Sequence, residues 1–180
     1  MPIVRSILFL LLLDQVTKLV FRLYGHELDL QLVLIEGYLY IDEVVFNYGN
    51  PFLPSGMEET GVVSLIISYG SASVALAGVL FGLASIDETD TVFSVSPYVL
   101  LAAGIQGNTF DRLIYGNVSD WITFTRPTSD YLGILNFADI WLWTGLLILP
   151  FTMHGLRYQV PVGAMCLFGV FWPLRNMLLN

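Results

Sequence analysis

Asn108, Asp111, Arg112, Asp120, Asn136 and Asp139 stand at the ends of two apolar runs, where a charge is costly unless it has a task. Asp120 follows one run and Asp139 opens the next, so a chain that returns to the same face brings two carboxylates together. At close range they do not both ionise cheaply: one pKa rises, the other falls, and the pair shares a proton. Such a pair can hold a water and activate it for attack on a peptide carbonyl, with no metal and no covalent intermediate. A plainer reading stands beside this one, because an Asp at a helix amino terminus is favoured as a cap. Residue types alone leave open whether Asp111 or Asp120 is the partner of Asp139.

Other chemistries find little support. His26 and His154 are isolated from each other and from further ligands, so no metal site is expected. Cys166, the single cysteine, has no disulfide partner and reads as a small packing residue. No Ser lies in a G-x-S-x-G context, and "GIQGN" (104 to 108) lacks the Lys-Ser/Thr ending of a phosphate loop. No cofactor is expected. Seven basic residues against 15 acidic ones, a formal charge of −8, exclude nucleic acid as a partner.

The elements that must position these residues follow from hydropathy. The chain has 180 residues, 56% hydrophobic and 12% charged, with a mean hydropathy of +0.72. These values predict an integral membrane protein forming one compact unit. Four runs are long enough to span a bilayer: 3–23, 62–84, 92–115 and 138–154. The second has no charge and carries Gly78-x-x-x-Gly82, a spacing that lets helices approach closely. The first has Arg5 ahead of Ile7 to Leu13 in the manner of a signal peptide. No small-x-small cleavage site follows, however, and the apolar pattern resumes after Lys18, so an uncleaved span is expected.

Between the first two spans the period changes. Leu28, Leu30 and Leu32 alternate with Asp29 and Gln31, Glu36-Gly37 interrupts, and Tyr38 to Phe46 is rich in aromatic and β-branched residues. This predicts a hairpin or small sheet over about 26–56, outside the bilayer, because an open sheet edge cannot face lipid. Residues 116–137 form a second polar excursion on the same side. The acidic loop 85–91 lies on the other side, and Arg5 and Arg157 against Arg126 favour an inside amino terminus. The apolar tail 156–180, broken by Pro161 and Pro173, reads as a fifth span or an interfacial helix.

"DQVTK" (14–18), "FNYGNPF" (46–52), "GNTFDR" (107–112), "VSD" (118–120) and "NFAD" (136–139) resemble, in order, the motifs of the lipoprotein signal peptidases (signal peptidase II). The resemblance covers about residues 5 to 155. It implies an all-α membrane protein of four transmembrane helices with a small extracytoplasmic β-cradle. It also implies a bacterial inner-membrane aspartic endopeptidase, with its active site at the extracytoplasmic face. Such an enzyme removes signal peptides from prolipoproteins on the amino side of a diacylglyceryl-modified cysteine. By the same resemblance Asp120 and Asp139 are the catalytic pair. Asn47, Gly49, Asn108, Arg112 and Asn136 support the site or the substrate, and Asp111 and Ala138 are structural. Asp14 and Lys18, spaced i, i+4, are read as a structural ion pair.

The partners implied are lipid-modified prolipoproteins and membrane lipids, with the enzyme a monomer of one domain, 1–155. Asn50-Pro51 stand where the family usually has small residues, and Ser119 and Trp121 flank Asp120 where a β-branched residue and Phe are more usual. The alternative is a catalytically silent binder of lipid-modified proteins with the same fold. A proton or ion transporter would spread acids through the bilayer depth, which only Asp14 with Lys18 approaches.

Overall fold

In a computed structural model, the structure describes residues 2–25, 27, 32–48, 61–84, 92–125 and 131–152, without the side chains of 2, 43, 61–68, 71, 131 and 132. Gly49, His26, His154, Cys166, the Asn50-Pro51 pair, the acidic loop and the tail lie outside the described residues. The elements run α1 (Pro2–Tyr24), β1 (Leu32–Ile35), β2 (Leu39–Asn47), α2 (Gly61–Ala84), α3 (Val92–Tyr115), β3 (Val118–Thr125), β4 (Tyr131–Leu135) and α4 (Phe137–Thr152).

The four helices lie on the four apolar runs, and β1 and β2 form the expected hairpin. At its turn Gly37 takes a φ of 78°, a conformation open to glycine at no steric cost, and the Tyr38 N–H donates to the Ile35 carbonyl at 3.0 Å. The sheet differs from expectation in extent. It is four-stranded and antiparallel in the order β1-β2-β3-β4, so half of it comes from the segment between α3 and α4, read above only as a polar excursion. The strand signal there is the β-branched and aromatic run of Val118–Thr125, masked by the polar residues around it.

In the pairing of β2 with β3, Ile41 faces Ile122 and Val45 faces Asp120. Three residues of β2 therefore oppose Trp121 alone. Such a bulge bends a strand and re-aims its side chains, and this one lies beside Asp120.

Along α1 a polar stretch separates two apolar ones. Val79, Leu101 and Ala102, with Ile7, Leu142 and Leu146 against them, form one hydrophobic cluster. Trp121, Ile122 and Leu135, packed by Phe21, Phe137 and Ile140, form another. On α1 Asp14 and Lys18 come between the two clusters in chain position, on α3 Asn108 and Asp111 follow the first, and on α4 Asp139 stands between Phe137 and Ile140 of the second. Helix α3 approaches α4 through glycine: a Cβ on Gly104 would lie 2.5 Å from the Ala138 carbonyl oxygen, and one on Gly145 would lie 2.8 Å from Leu101 Cγ.

Among the described residues no helix is long and apolar enough to cross a membrane. Helix α1 carries Arg5, Asp14, Lys18 and Arg22, α3 ends in a polar stretch with Asp111 and Arg112, and α4 is described over 16 residues. Helix α2 is free of charge, and its described side chains begin at Tyr69.

Polarity is inverted relative to a water-soluble fold. Asp14, Lys18 and Asp111 are at most 2% exposed, whereas Phe9, Leu12, Val74 and Phe81 are each more than 60% exposed. Extended outward apolar surface of this kind marks a surface meant for contact with something other than water.

Candidate active site

Helix α4 begins where the chain leaves β4. Asn136 is the residue before its first turn, and its side-chain oxygen accepts the Asp139 N–H at 3.0 Å. Asp139 answers by accepting the Asn136 N–H on Oδ2 at 3.2 Å. This is a reciprocal capping box with Asn and Asp in the two roles, satisfying backbone donors that the helix itself cannot. Ala138, fully buried, donates its N–H to Asp14 Oδ1 at 2.9 Å. A carboxylate from α1 thus also sits on the positive end of α4, where the helix dipole favours it.

The cap leaves both Asn136 side-chain hydrogens free to work elsewhere. Its Nδ2 donates to Asp120 Oδ1 at 2.5 Å and to Asn108 Oδ1 at 3.2 Å. Asn47, at the end of β2, donates to Asp120 Oδ2 at 3.0 Å, and Asn108 donates to Asp139 Oδ1 at 2.8 Å. Three amides from β2, α3 and the start of α4 therefore hold both carboxylates. Among the described residues Asn47 and Asn136 donate to the two oxygens of Asp120, and Asn108 and the Asn136 N–H to those of Asp139; a carboxylate accepts at about four lone-pair sites, which suits it to take a water or a substrate group as well.

Burial pushes the Asp120 carboxyl up from 3.8 to about 7, and the charge of Asp139 adds to the rise. The amides of Asn47 and Asn136 and the charge of Lys18 act in the opposite sense. A carboxyl near 7 exchanges its proton at physiological pH, which suits acid–base work. Arg112 is close enough for its charge to be felt by Asp139, Asp120 and Asp111, and its Nη1 reaches the Asn108 carbonyl at 3.5 Å.

Asp111 is placed differently. It faces Lys18 at 3.5 Å and accepts the Ser119 N–H at 3.1 Å, so it ties α3 to the strand that presents Asp120. Lys18 pairs with Asp14 at 2.9 Å and also donates to Asn108 Oδ1 at 2.9 Å. The i, i+4 spacing had suggested a pair on one helix face; the ammonium in fact joins α1 to α3.

Sequence reasoning passed over several neighbours. Gln15 donates to the Gly107 carbonyl, to Asp111 and to Asp14 at 3.1 to 3.3 Å. Arg22 donates to Asn117 and Ser119 and lies over the rings of Tyr115 and Phe46, 3.9 and 4.8 Å from their centroids. Ser119, unusual for its motif, thereby has a partner. Trp121 stacks on Phe21 at 4.4 Å and meets Phe137 edge-on at 4.9 Å. A signal for Arg22 was available, since it falls one turn beyond Lys18, but nothing local linked it to Ser119. Among the described residues no group of three or more His, Cys, Asp or Glu gathers as metal ligands.

Of the residues singled out in the sequence, Asn47, Asn108, Asp120, Asn136 and Asp139 come together directly. Asp14, Lys18, Asp111 and Ala138 form the layer that supports them, and Arg112 stands beside them.

Residues 6–154 match the model of the signal peptidase (SPase) II family. The chain is 28% identical over 157 residues to the lipoprotein signal peptidase of Sinorhizobium fredii, covering 81% of each. It is 30% identical over 98 residues to that of Mesorhizobium japonicum, covering 51% of this chain and 58% of the relative. Two solved bacterial membrane enzymes, at 2.3 and 1.9 Å, share the fold with TM-scores of 0.61 and 0.63 and identities of 23% and 24%. The match covers 82% of this chain in both cases, and 84% and 88% of the respective structures. The matched region takes in all five polar motifs, and the chain belongs to the signal peptidase II family.

Proposed function

We propose that the protein is an aspartic endopeptidase of the bacterial inner membrane. It removes the signal peptide of prolipoproteins on the amino side of a diacylglyceryl-modified cysteine. The observation that carries this reading is the pair of carboxylates from β3 and α4 held by one set of amides, with Asp120 near 7. At neutral pH the pair shares a proton. The ionised member draws a proton from a water, the water attacks the scissile carbonyl, and the protonated member donates to the developing oxyanion. The proton drawn from the water then passes to the leaving amine, and collapse of the diol returns the other proton to the pair, which restores the starting state. Asn47, Asn108 and Asn136 fix both carboxylates before substrate arrives, so little reorganisation accompanies the reaction.

The four helices cross the bilayer as a monomer in this reading, with the sheet and the aspartates at the extracytoplasmic face. The outward apolar residues on α1 and α2 support it. The substrate's acyl chains stay between helices while the peptide bond sits at the polar boundary. A cavity of about 110 Å³ between α2 and α3, lined by Tyr69, Leu76, Ile105 and Phe110 among others, is of the right character for part of a chain.

The test uses purified protein and a diacylated precursor peptide. Asp120→Asn and Asp139→Asn are expected to fold, to bind the peptide and to lose cleavage by a factor of about 10³ or more. Normal cleavage by either variant overturns the assignment. Binding without cleavage by the wild type replaces it with the silent-binder reading.

A further inference from the structure

We propose that Lys18 is a positioning residue for the aspartate pair, acting through the Asn108 amide; the proposal rests on the peptidase reading above. A side-chain amide can present either end to a neighbour, and which end it presents is set by what holds the other. Here Asn108 Oδ1 accepts from Lys18 Nζ at 2.9 Å and from Asn136 Nδ2 at 3.2 Å, which leaves Nδ2 to donate to Asp139 Oδ1 at 2.8 Å. Reversed, the amide would turn its oxygen toward the Asp139 carboxylate and its NH2 toward an ammonium, and both contacts would repel. A hydrogen bond from a charged donor is roughly twice as strong as a neutral one, so of the two donors to Asn108 Oδ1 Lys18 is the stronger, and it holds the amide from the end opposite Asp139.

An i, i+4 partner for Asp14 needs none of this reach. Lys18 is 2% exposed, and groups from several elements surround it: Asp14 on its own helix, Asp111 and Asn108 from α3, and beyond Asn108 the carboxylates of Asp139 on α4 and Asp120 on β3. Two other cations stand at the edges of this cluster among the described residues: Arg112, whose charge is felt by Asp139, Asp120 and Asp111, and Arg22, which donates to Ser119. The cluster is rich in negative charge, and the Lys18 ammonium lies at its centre. Its charge also opposes the rise of the Asp120 carboxyl, so a second effect follows from the same geometry. Removing it disfavours the ionised form of the pair and moves loss of that form to higher pH.

The full-length chain is tested on the diacylated precursor peptide as Lys18→Met, Lys18→Arg, Asn108→Ala and Lys18→Met/Asn108→Ala, with kcat and KM measured from pH 5 to 9. Lys18→Met is expected to lower kcat about 10-fold or more with KM within about twofold. It should also move the acid limb of the pH profile up by about half a unit to one unit. Lys18→Arg, which keeps the charge, leaves that limb in place. At the pH optimum the kcat of the double variant is expected to match that of Asn108→Ala, because the positioning runs through one amide, while the shift of the acid limb, which comes from the lost charge, persists.

A Lys18→Met enzyme with the wild-type pH profile and losses that multiply with those of Asn108→Ala overturns the inference. Failure of both Lys18 variants to fold also overturns it and assigns the residue to folding. The peptidase reading is judged separately, by whether the wild type cuts the peptide at all.

Discussion

Asp139 accepts the Asn136 backbone N–H on one carboxylate oxygen and the Asn108 amide on the other, so helix capping and site geometry depend on one side chain. Asp120 has no such place at a helix start, and burying its carboxylate costs free energy that depends on pH. Its carboxyl titrates near 7 when folded against an ordinary 3.8. Between those values the folded protein holds a proton that the unfolded chain has released. The group's contribution to stability is therefore fully present below about pH 4 and is lost as pH rises through 7. The wild type is expected to lose thermal stability in detergent between pH 5 and 8, and Asp120→Asn to lose less over the same range. Parallel pH dependences of the two unfolding midpoints would show that Asp120 titrates near its ordinary value.

At the scale of elements, the placement of α4 against α3 decides where Asp139 sits. Gly104 leaves room for the Ala138 carbonyl, and Gly107 leaves room for Asp14 and for the Ala138 side chain. Gly104→Ala puts a Cβ into backbone, which cannot yield as a flexible side chain can. A loss of about 1–3 kcal/mol is expected, together with reduced cleavage, because the α4 start must move. Gly78→Ala is the contrast: nothing lies within 4 Å of its Cβ position, and alanine favours helix over glycine. Thermal unfolding and peptide cleavage of the two variants check the pair of expectations. Of the small-x-x-x-small motif in α2, Gly82 makes the close contact, against the Tyr98 ring.

At the scale of the whole molecule, the described residues include charges that are buried (Asp14, Lys18, Asp111 and Asp120) and large apolar side chains on α1 and α2 that are exposed. Val74, midway along α2, is 75% exposed. In water, Val74→Arg at such a site would change stability little. Facing lipid it costs about 2.5–3.5 kcal/mol, so poorer membrane insertion and a lower yield of folded protein are expected. Fractionation of the expressed variant between membrane and aggregate measures the effect, and undiminished insertion would count against a lipid-facing α2.

The apolar runs that become α1 to α4 and the break at Glu36-Gly37 were legible in the sequence, because run length, period and turn chemistry are local properties of the chain. The polar motifs were legible as a set, since charge beside an apolar run is conspicuous wherever the chain goes. Two things depended on tertiary structure. Val118–Thr125 and Tyr131–Leu135 join the hairpin of 32–47 in one sheet, a pairing across more than 70 positions that no local pattern announces. The different surroundings of Asp111 and Asp120, which the residue types left open and only the family resemblance distinguished, are likewise a matter of packing. Both aspartates adjoin the same helix end, but Asp111 is taken by Lys18 and the Ser119 N–H, while Asp120 meets Asn47 and Asn136 beside Asp139. Strand pairing and helix approach place these groups, and both arise from contacts between segments distant in sequence.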